Sequence, residues 1–157
     1  MDQLPVIDIS PLYSTDQNAW PAVAAQIDQA CREWGFFYIK GHPISAQRID
    51  SLLDHAQRFF AQPAEEKLRI DITRTRHHRG YGAIATEQLD PDKPSDLKET
   101  FDMGLHLPAD HPDVLADKPL RGPNRHPPIA GWEPLMEQHY LDMQALAQTL
   151  LRAMTIA

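Results

Sequence analysis

The apolar positions of the chain fall into blocks with either a strand-like or a helix-like period. Leu4–Ile9 is short, apolar and rich in β-branched residues, which predicts a strand. The proline near its start suits an edge position. Trp20, Val23, Ala24, Ile27, Ala30, Cys31 and Trp34 then recur at helical spacing. Asp16 or Asn18 can cap that helix, and Gly35 stands where a C-terminal glycine belongs. Phe36–Ile39 has the pattern of a buried strand. After Gly41, His42 and Pro43 turn the chain, Ser45 can cap a second helix with an apolar face of Ile49, Leu52, Leu53, Ala56, Phe59 and Phe60. Pro63–Ile70 predicts a short helical turn with its acids near the start, where the helix dipole favours them.

The pattern then changes. Nine of the fourteen prolines fall between Pro91 and Pro134, too many for a continuous helix or a central strand. Glu99–Gly104 is expected to give one short strand, and the rest an ordered loop. Helical period returns from Glu133, with Met136, Tyr140, Met143, Leu146, Leu150, Leu151 and Met154 on one face. The last residues, Leu150–Ala157, remain apolar with no glycine or proline, so the expectation is a chain incomplete at its C-terminus. Three apolar helix faces set against three short strands lead to the same expectation, because such faces need a larger surface to cover them.

Composition narrows the function. At 157 residues and 42% hydrophobic content, the chain can build a core. A net charge of −7 argues against nucleic acid as a partner. The single cysteine, Cys31, rules out an internal disulfide. The N-terminus lacks a basic, then apolar leader, and no apolar run is long enough to span a membrane. A soluble, cytoplasmic protein is expected.

Chemistry-bearing candidates are few. His111 and Asp113 form a His-x-Asp pair of the kind that contributes to two-histidine, one-carboxylate iron sites. Pro112 between them and the polar flanks make the stretch a loop, which could bind a metal or simply organise a turn. Arg69, Arg74, Arg76 and Arg79 cluster in an otherwise acidic chain, as an anion contact or as a solvated basic face. His77 and His78 are adjacent, so in an extended segment they point to opposite faces. Arg79-Gly80-Tyr81-Gly82 offers a cationic and a hydroxyl contact on a permissive backbone, and a structural turn is the simpler reading. His42 and His139 read as surface or capping residues, and His106 and His126 as loop residues. Cys31 reads as packing. There is no nucleophile elbow, phosphate loop or CxxC.

Several stretches together resemble the N-terminal part of the isopenicillin N synthase-like iron(II)/2-oxoglutarate-dependent oxygenases. They are Leu4–Ser10, Ile27–Ser45, Ala56–Ile70, above all Arg79–Gly104, and Leu120–Pro128. The family usually carries tryptophan where His126 stands. The resemblance implies an α+β fold, in which N-terminal helices and a few strands pack around a double-stranded β-helix (jelly roll) whose core is largely absent from residues 1–157. It implies Fe(II) and 2-oxoglutarate as cofactors, 2-oxoglutarate being decarboxylated to succinate as a small-molecule substrate is oxidised. The family's metal triad, a His-x-Asp pair plus a distal histidine, and its Arg-x-Ser grip on 2-oxoglutarate belong to the second half of a typical member. This chain has no Arg-x-Ser, and its one His-x-Asp falls in the family's variable loop. No catalytic or metal residue is therefore assigned, and the isolated chain is expected to be inactive. Arg79 and Tyr81 match a region that borders the substrate pocket and are the substrate-side candidates, while Glu99 and Phe101 match a structural strand. The alternative is a truncated, non-enzymatic binding or dimerising module that self-associates through exposed apolar helix faces.

Overall fold

The computed structural model describes residues 3–88, 90 and 92–157. Met1 and Asp2, which open the N-terminal segment read as lacking a leader, and Pro91, the first proline of the proline-rich stretch, lie outside the described residues. The chain divides into two units, one made of residues up to Ser45 together with Leu141–Ala157, the other of Ala46–Tyr140.

In the first unit, strand β1 (Val6–Asp8) pairs in parallel with β2 (Tyr38–Lys40), with Ile7 opposite Ile39. A parallel pair needs a long crossover, and helix α1 (Trp20–Glu33) supplies it. Asp16 caps a 3₁₀ turn over Gln17–Ala19 by accepting from Asn18 N at 2.9 Å, rather than capping α1 itself. Pro21 lies in the first turn of α1, where a missing N–H costs nothing. Gly35 closes the helix with a left-handed φ of +73°, as predicted. Ile7, Ile9, Leu12, Trp20, Val23, Ile27 and Ala30 form the core with Leu146 and Ala153.

β2 is not the buried strand its apolar run predicts. Phe36 is 72% and Tyr38 62% exposed. One face of the two-stranded sheet packs on α1, and Val6 and Tyr38 on the other are exposed. Cys31 is likewise exposed rather than packed. The buried stripe of α1 runs through Trp20, Val23, Ala24, Ile27 and Ala30, and Cys31 falls to one side of it.

In the second unit, helix α2 (Ala46–Phe60) leads to the short helix α3 (Ala64–Lys67), whose first turn holds Glu65 and Glu66 as expected. Two 3₁₀ turns, Leu68–Ile70 and Ile72–Arg74, follow. β3 (Gly80–Gly82) then pairs antiparallel with β4 (Thr100–Asp102), with Tyr81 opposite Phe101. Residue types alone favour a turn at β3, because two glycines in three residues lower strand propensity. Close approach explains them: a Cβ on Gly80 would collide with Ile70 O, and its φ is +122°. Between β4 and the last helix the proline-rich stretch is mostly loop, as expected, but it also holds one short helix that the expectation lacked, α4 (Pro112–Leu115).

The last helix, α5, runs over Trp132–Met154. Phe59 is the hub of the second core. Its ring meets Phe60, Tyr81 and Phe101 edge-on at centroid distances of 5.1, 5.9 and 5.6 Å, and lies 5.1 Å from Trp132. Such geometry adds about 0.5–1.5 kcal/mol per pair beyond burial.

The apolar faces of α2 and α5 are only partly covered. Leu53 on α2 is 61% exposed, and Met143, Leu151 and Met154 on α5 are exposed too.

Candidate functional site

The His-x-Asp pair does not converge. His111 precedes α4 and caps it, its Nδ1 accepting from Asp113 N at 3.1 Å. Asp113 turns to Lys118, whose Nζ lies 2.6 Å from its carboxylate. That hydrogen bond, more than any other influence, holds the Asp113 pKa below the usual carboxylate range. Both side chains are thus committed to local turn structure.

The four arginines do not converge on one site: Arg74 and Arg76 share a cleft, while Arg69 and Arg79 have other partners. Arg69 pairs with Glu66 at 2.7 Å, and Arg76 with Asp117 at 2.7 Å. Arg74, Arg76, His77, Lys118 and Arg121 line an open cleft of about 440 Å³. His77 and His78 diverge as expected. His77 Nε2 faces Pro123 O at 3.1 Å, while His78 is exposed with a left-handed φ of +53°.

Arg79 faces main-chain oxygens. Its Nη1 donates to His77 O at 2.9 Å and His78 O at 3.2 Å, and its Nη2 to Leu120 O at 3.0 Å. A planar fork suits three carbonyls in two directions better than a lysine would. Gly104 makes room for it, since a Cβ there would collide with Nη2.

Tyr81 is 2% exposed and donates its hydroxyl to Glu99. Glu99 also takes Lys67 Nζ at 2.5 Å. Lys67 is only 5% exposed; it donates to Phe60 O at 3.1 Å, and its ammonium stands 5.2 Å from the Tyr81 ring centre. Burial, then the bond to Glu99, pushes the Tyr81 pKa up to about 12. The Lys67 contact, then the Tyr81 contact, holds the Glu99 carboxyl below its ordinary value. Glu99 and Phe101 therefore have the structural role the resemblance implied. The buried Lys67 has no signal in the sequence, where Pro63–Ile70 reads as a short helical turn with its acids near the start.

A second network escapes sequence reasoning as well, because its members are far apart in the chain. Asn124, 7% exposed, accepts from Gly104 N at 2.9 Å and donates to Gly104 O at 2.7 Å and to Glu137 Oε1 at 2.9 Å. His126 Nε2 reaches the same oxygen at 2.8 Å, and its ring lies 6.5 Å from that of Phe101. His126 thus has an aromatic neighbour in Phe101 and a carboxylate partner on α5. His106 Nδ1 stands 3.4 Å from Glu137 Oε1. Among the described residues this is the one group of three or more His, Cys, Asp or Glu side chains gathered closely enough to hold an ion. Its donors are those of a two-histidine, one-carboxylate centre, but not in the His-x-Asp and distal histidine arrangement that the resemblance implies. The residues of this chain do not fit the family's iron and 2-oxoglutarate site, and they support no catalytic step through it. No helix among the described residues is long and apolar enough to cross a membrane.

Comparison with known proteins gives a consistent result. Residues 4–129 match the family model described as "non-haem dioxygenase in morphine synthesis N-terminal". The 2-oxoglutarate-Fe(II) type oxidoreductase hxnY of Emericella nidulans is 37% identical over 123 residues, 78% of this chain and 35% of that protein. Clavatol oxidase claD of Penicillium crustosum is 33% identical over 94% of this chain and 48% of its own length. A full-length Neurospora crassa protein, solved in complex with alpha-KG, superposes with a TM-score of 0.77 at 26% identity, over 98% of this chain and 46% of that one. The chain spans between about a third and a half of the length of the curated relatives it matches, from 35% to 48% for the two named above.

Proposed function

The chain belongs to the non-haem dioxygenase N-terminal family, and from that premise we propose that it is the N-terminal region of a cytoplasmic Fe(II)/2-oxoglutarate-dependent oxidoreductase acting on a small molecule. On this reading residues 1–157 pack around a jelly-roll core supplied by further sequence, which brings the metal triad and the 2-oxoglutarate grip. When bound there, Fe(II) and 2-oxoglutarate supply the oxidising chemistry. The observation that carries the reading is the match of residues 4–129 to the family. The exposed apolar residues of α2 and α5, Leu53 and Leu151 among them, support it as surface left for that core to cover.

The isolated chain is inactive on this reading, because His111 and Asp113 are spent on a turn and no Arg-x-Ser exists. The test is oxygen uptake by the purified chain with Fe(II) and 2-oxoglutarate. We expect no uptake above the protein-free background; stoichiometric formation of succinate would overturn it.

The segment carrying Arg79 and Tyr81 borders the substrate pocket of the complete enzyme in this proposal. Since Tyr81 is buried on Glu99 and Arg79 is held on carbonyls, they shape the pocket wall by holding β3. In the complete enzyme, Tyr81→Phe should then raise KM more than it lowers kcat. The reverse split would count against a wall role.

The exposed apolar faces also favour a second reading, a self-associating module. Sedimentation of the purified chain separates the two. A concentration-independent monomer dismisses self-association, and a tight dimer without dye-accessible apolar surface supports it.

A further inference from the structure

We propose that His106, His126 and Glu137 bind one first-row divalent transition-metal ion. Nothing in the oxygenase reading is needed for this, because all three ligands are side chains of this chain.

The geometry is close to that of a loaded site. His126 Nε2 and Glu137 Oε1 are 2.8 Å apart, and His106 Nδ1 and Glu137 Oε1 3.4 Å. All three ligand atoms lie within 4.8 Å of one another. An ion about 2.1 Å from each ligand requires adjacent ligands about 3.0 Å apart in an octahedron and about 3.4 Å apart in a tetrahedron. The 2.8 Å edge is near the octahedral value and the 3.4 Å edge at the tetrahedral one, so an ion is ligated by all three once the two histidine rings adjust. Two imidazoles and one carboxylate suit Zn(II), Co(II), Ni(II) or Fe(II), whereas Mg(II) and Ca(II) favour all-oxygen sets.

Hydrogen bonding gives the tautomer that metal ligation needs. His106 Nδ1 accepts from the Asn124 N–H at 3.3 Å and stands 3.4 Å from Glu137 Oε1. Its one lone pair is on that nitrogen, and a bound cation takes it over from the Asn124 hydrogen bond, since neutral imidazole is the form that binds metal.

Outer groups hold two of the ligands in place. Asn124 Nδ2 fixes Glu137 Oε1, and Phe101 backs the His126 ring. His106 is exposed, which gives the ion its entry and leaves positions for water. Coordination through His126 Nε2 puts the ring proton on Nδ1, a buried atom without a partner among the described residues. Affinity should therefore fall roughly 10–100-fold below that of a site whose second ring nitrogen is anchored.

Co(II) is the probe, because its visible absorption reports ligand geometry. Titration of the purified protein should show a saturable equivalent whose bands and affinity depend on all three residues. Glu137→Gln keeps an acceptor for Asn124 and should weaken that equivalent by more than about 10-fold. His106→Ala, on an exposed residue, should do the same and covers the case that the Glu137 variant misfolds. His111→Asn, outside the cluster, should leave it unchanged. Binding unaltered by either cluster variant, with the circular dichroism of the fold intact, would overturn the site. So would the absence of any saturable equivalent in the wild type.

Discussion

Lys67 Nζ lies 2.5 Å from Glu99 Oε1 within the second unit, and the lysine side chain is nearly closed off from water while the glutamate is not. The two partners are therefore unequal. Glu99→Ala leaves the buried ammonium with Phe60 O and the Tyr81 ring face but no counter-charge, which should cost about 3 kcal/mol. Lys67→Met leaves a carboxylate that still has the Tyr81 hydroxyl and some solvent, and should cost about 1 kcal/mol. Urea unfolding checks the order of the two losses; a costlier Lys67→Met would contradict this account.

The Tyr81 hydroxyl should make stability fall in alkali. Its pKa in the folded chain is raised to about 12, against an ordinary value of about 10. The unfolded chain therefore loses this proton first. The contribution is complete below pH about 10 and is lost as pH rises from there toward 12. Glu99 has the opposite sign: its lowered pKa stabilises above its ordinary value, and the benefit is lost as pH falls through the lowered one. Urea midpoints measured from about pH 8 to about pH 12, a range that brackets the ordinary tyrosine value, check the alkaline limb. Tyr81→Phe should lack part of the slope that the wild type shows there, and an unchanged slope would contradict this role for the hydroxyl.

The Asn124 side chain makes three hydrogen bonds from a buried position. Asn124→Ala leaves both polar groups of Gly104 unpaired, and about 3 kcal/mol should be lost. Asn124→Asp should fare no better, because it sets an oxygen against Gly104 O and Glu137. Thermal unfolding of both variants decides this. An Asp variant as stable as the wild type would contradict the donor role of Nδ2.

Gly104 and Arg79 should be coupled. A methyl group on Gly104 runs into the guanidinium, and Arg79 is held on three carbonyls. Gly104→Ala should cost about 1–3 kcal/mol in the wild type and less in an Arg79→Ala background. A double-mutant cycle should give a coupling above about 0.5 kcal/mol; additive losses would show that the backbone at Gly104, not the arginine, sets the constraint.

Local pattern determined much of this chain. The stripes of α1, α2 and α5 were legible because each turn repeats the same burial preference, and Gly35 and the acids of α3 because helix ends have fixed chemistry. The Arg79–Gly104 stretch pointed to the family through a combination of residues. What the sequence could not settle depends on groups brought together over long separations. β3 exists because Ile70 O and β4 close around two glycines, which disfavour a strand taken alone. The exposure of Phe36 and Cys31 follows from what covers them, a property of the tertiary structure and not of the residue. Lys67 with Glu99, and His106 with His126 and Glu137, share no local signal. Their meaning comes from distances of a few ångströms across 32 and up to 31 residues of chain, since 99 − 67 = 32 and 137 − 106 = 31. Periodicity reports which side of an element turns inward. Only the folded chain decides which polar groups meet there, because a hydrogen bond or a metal ligand set depends on position in space rather than on order in the chain.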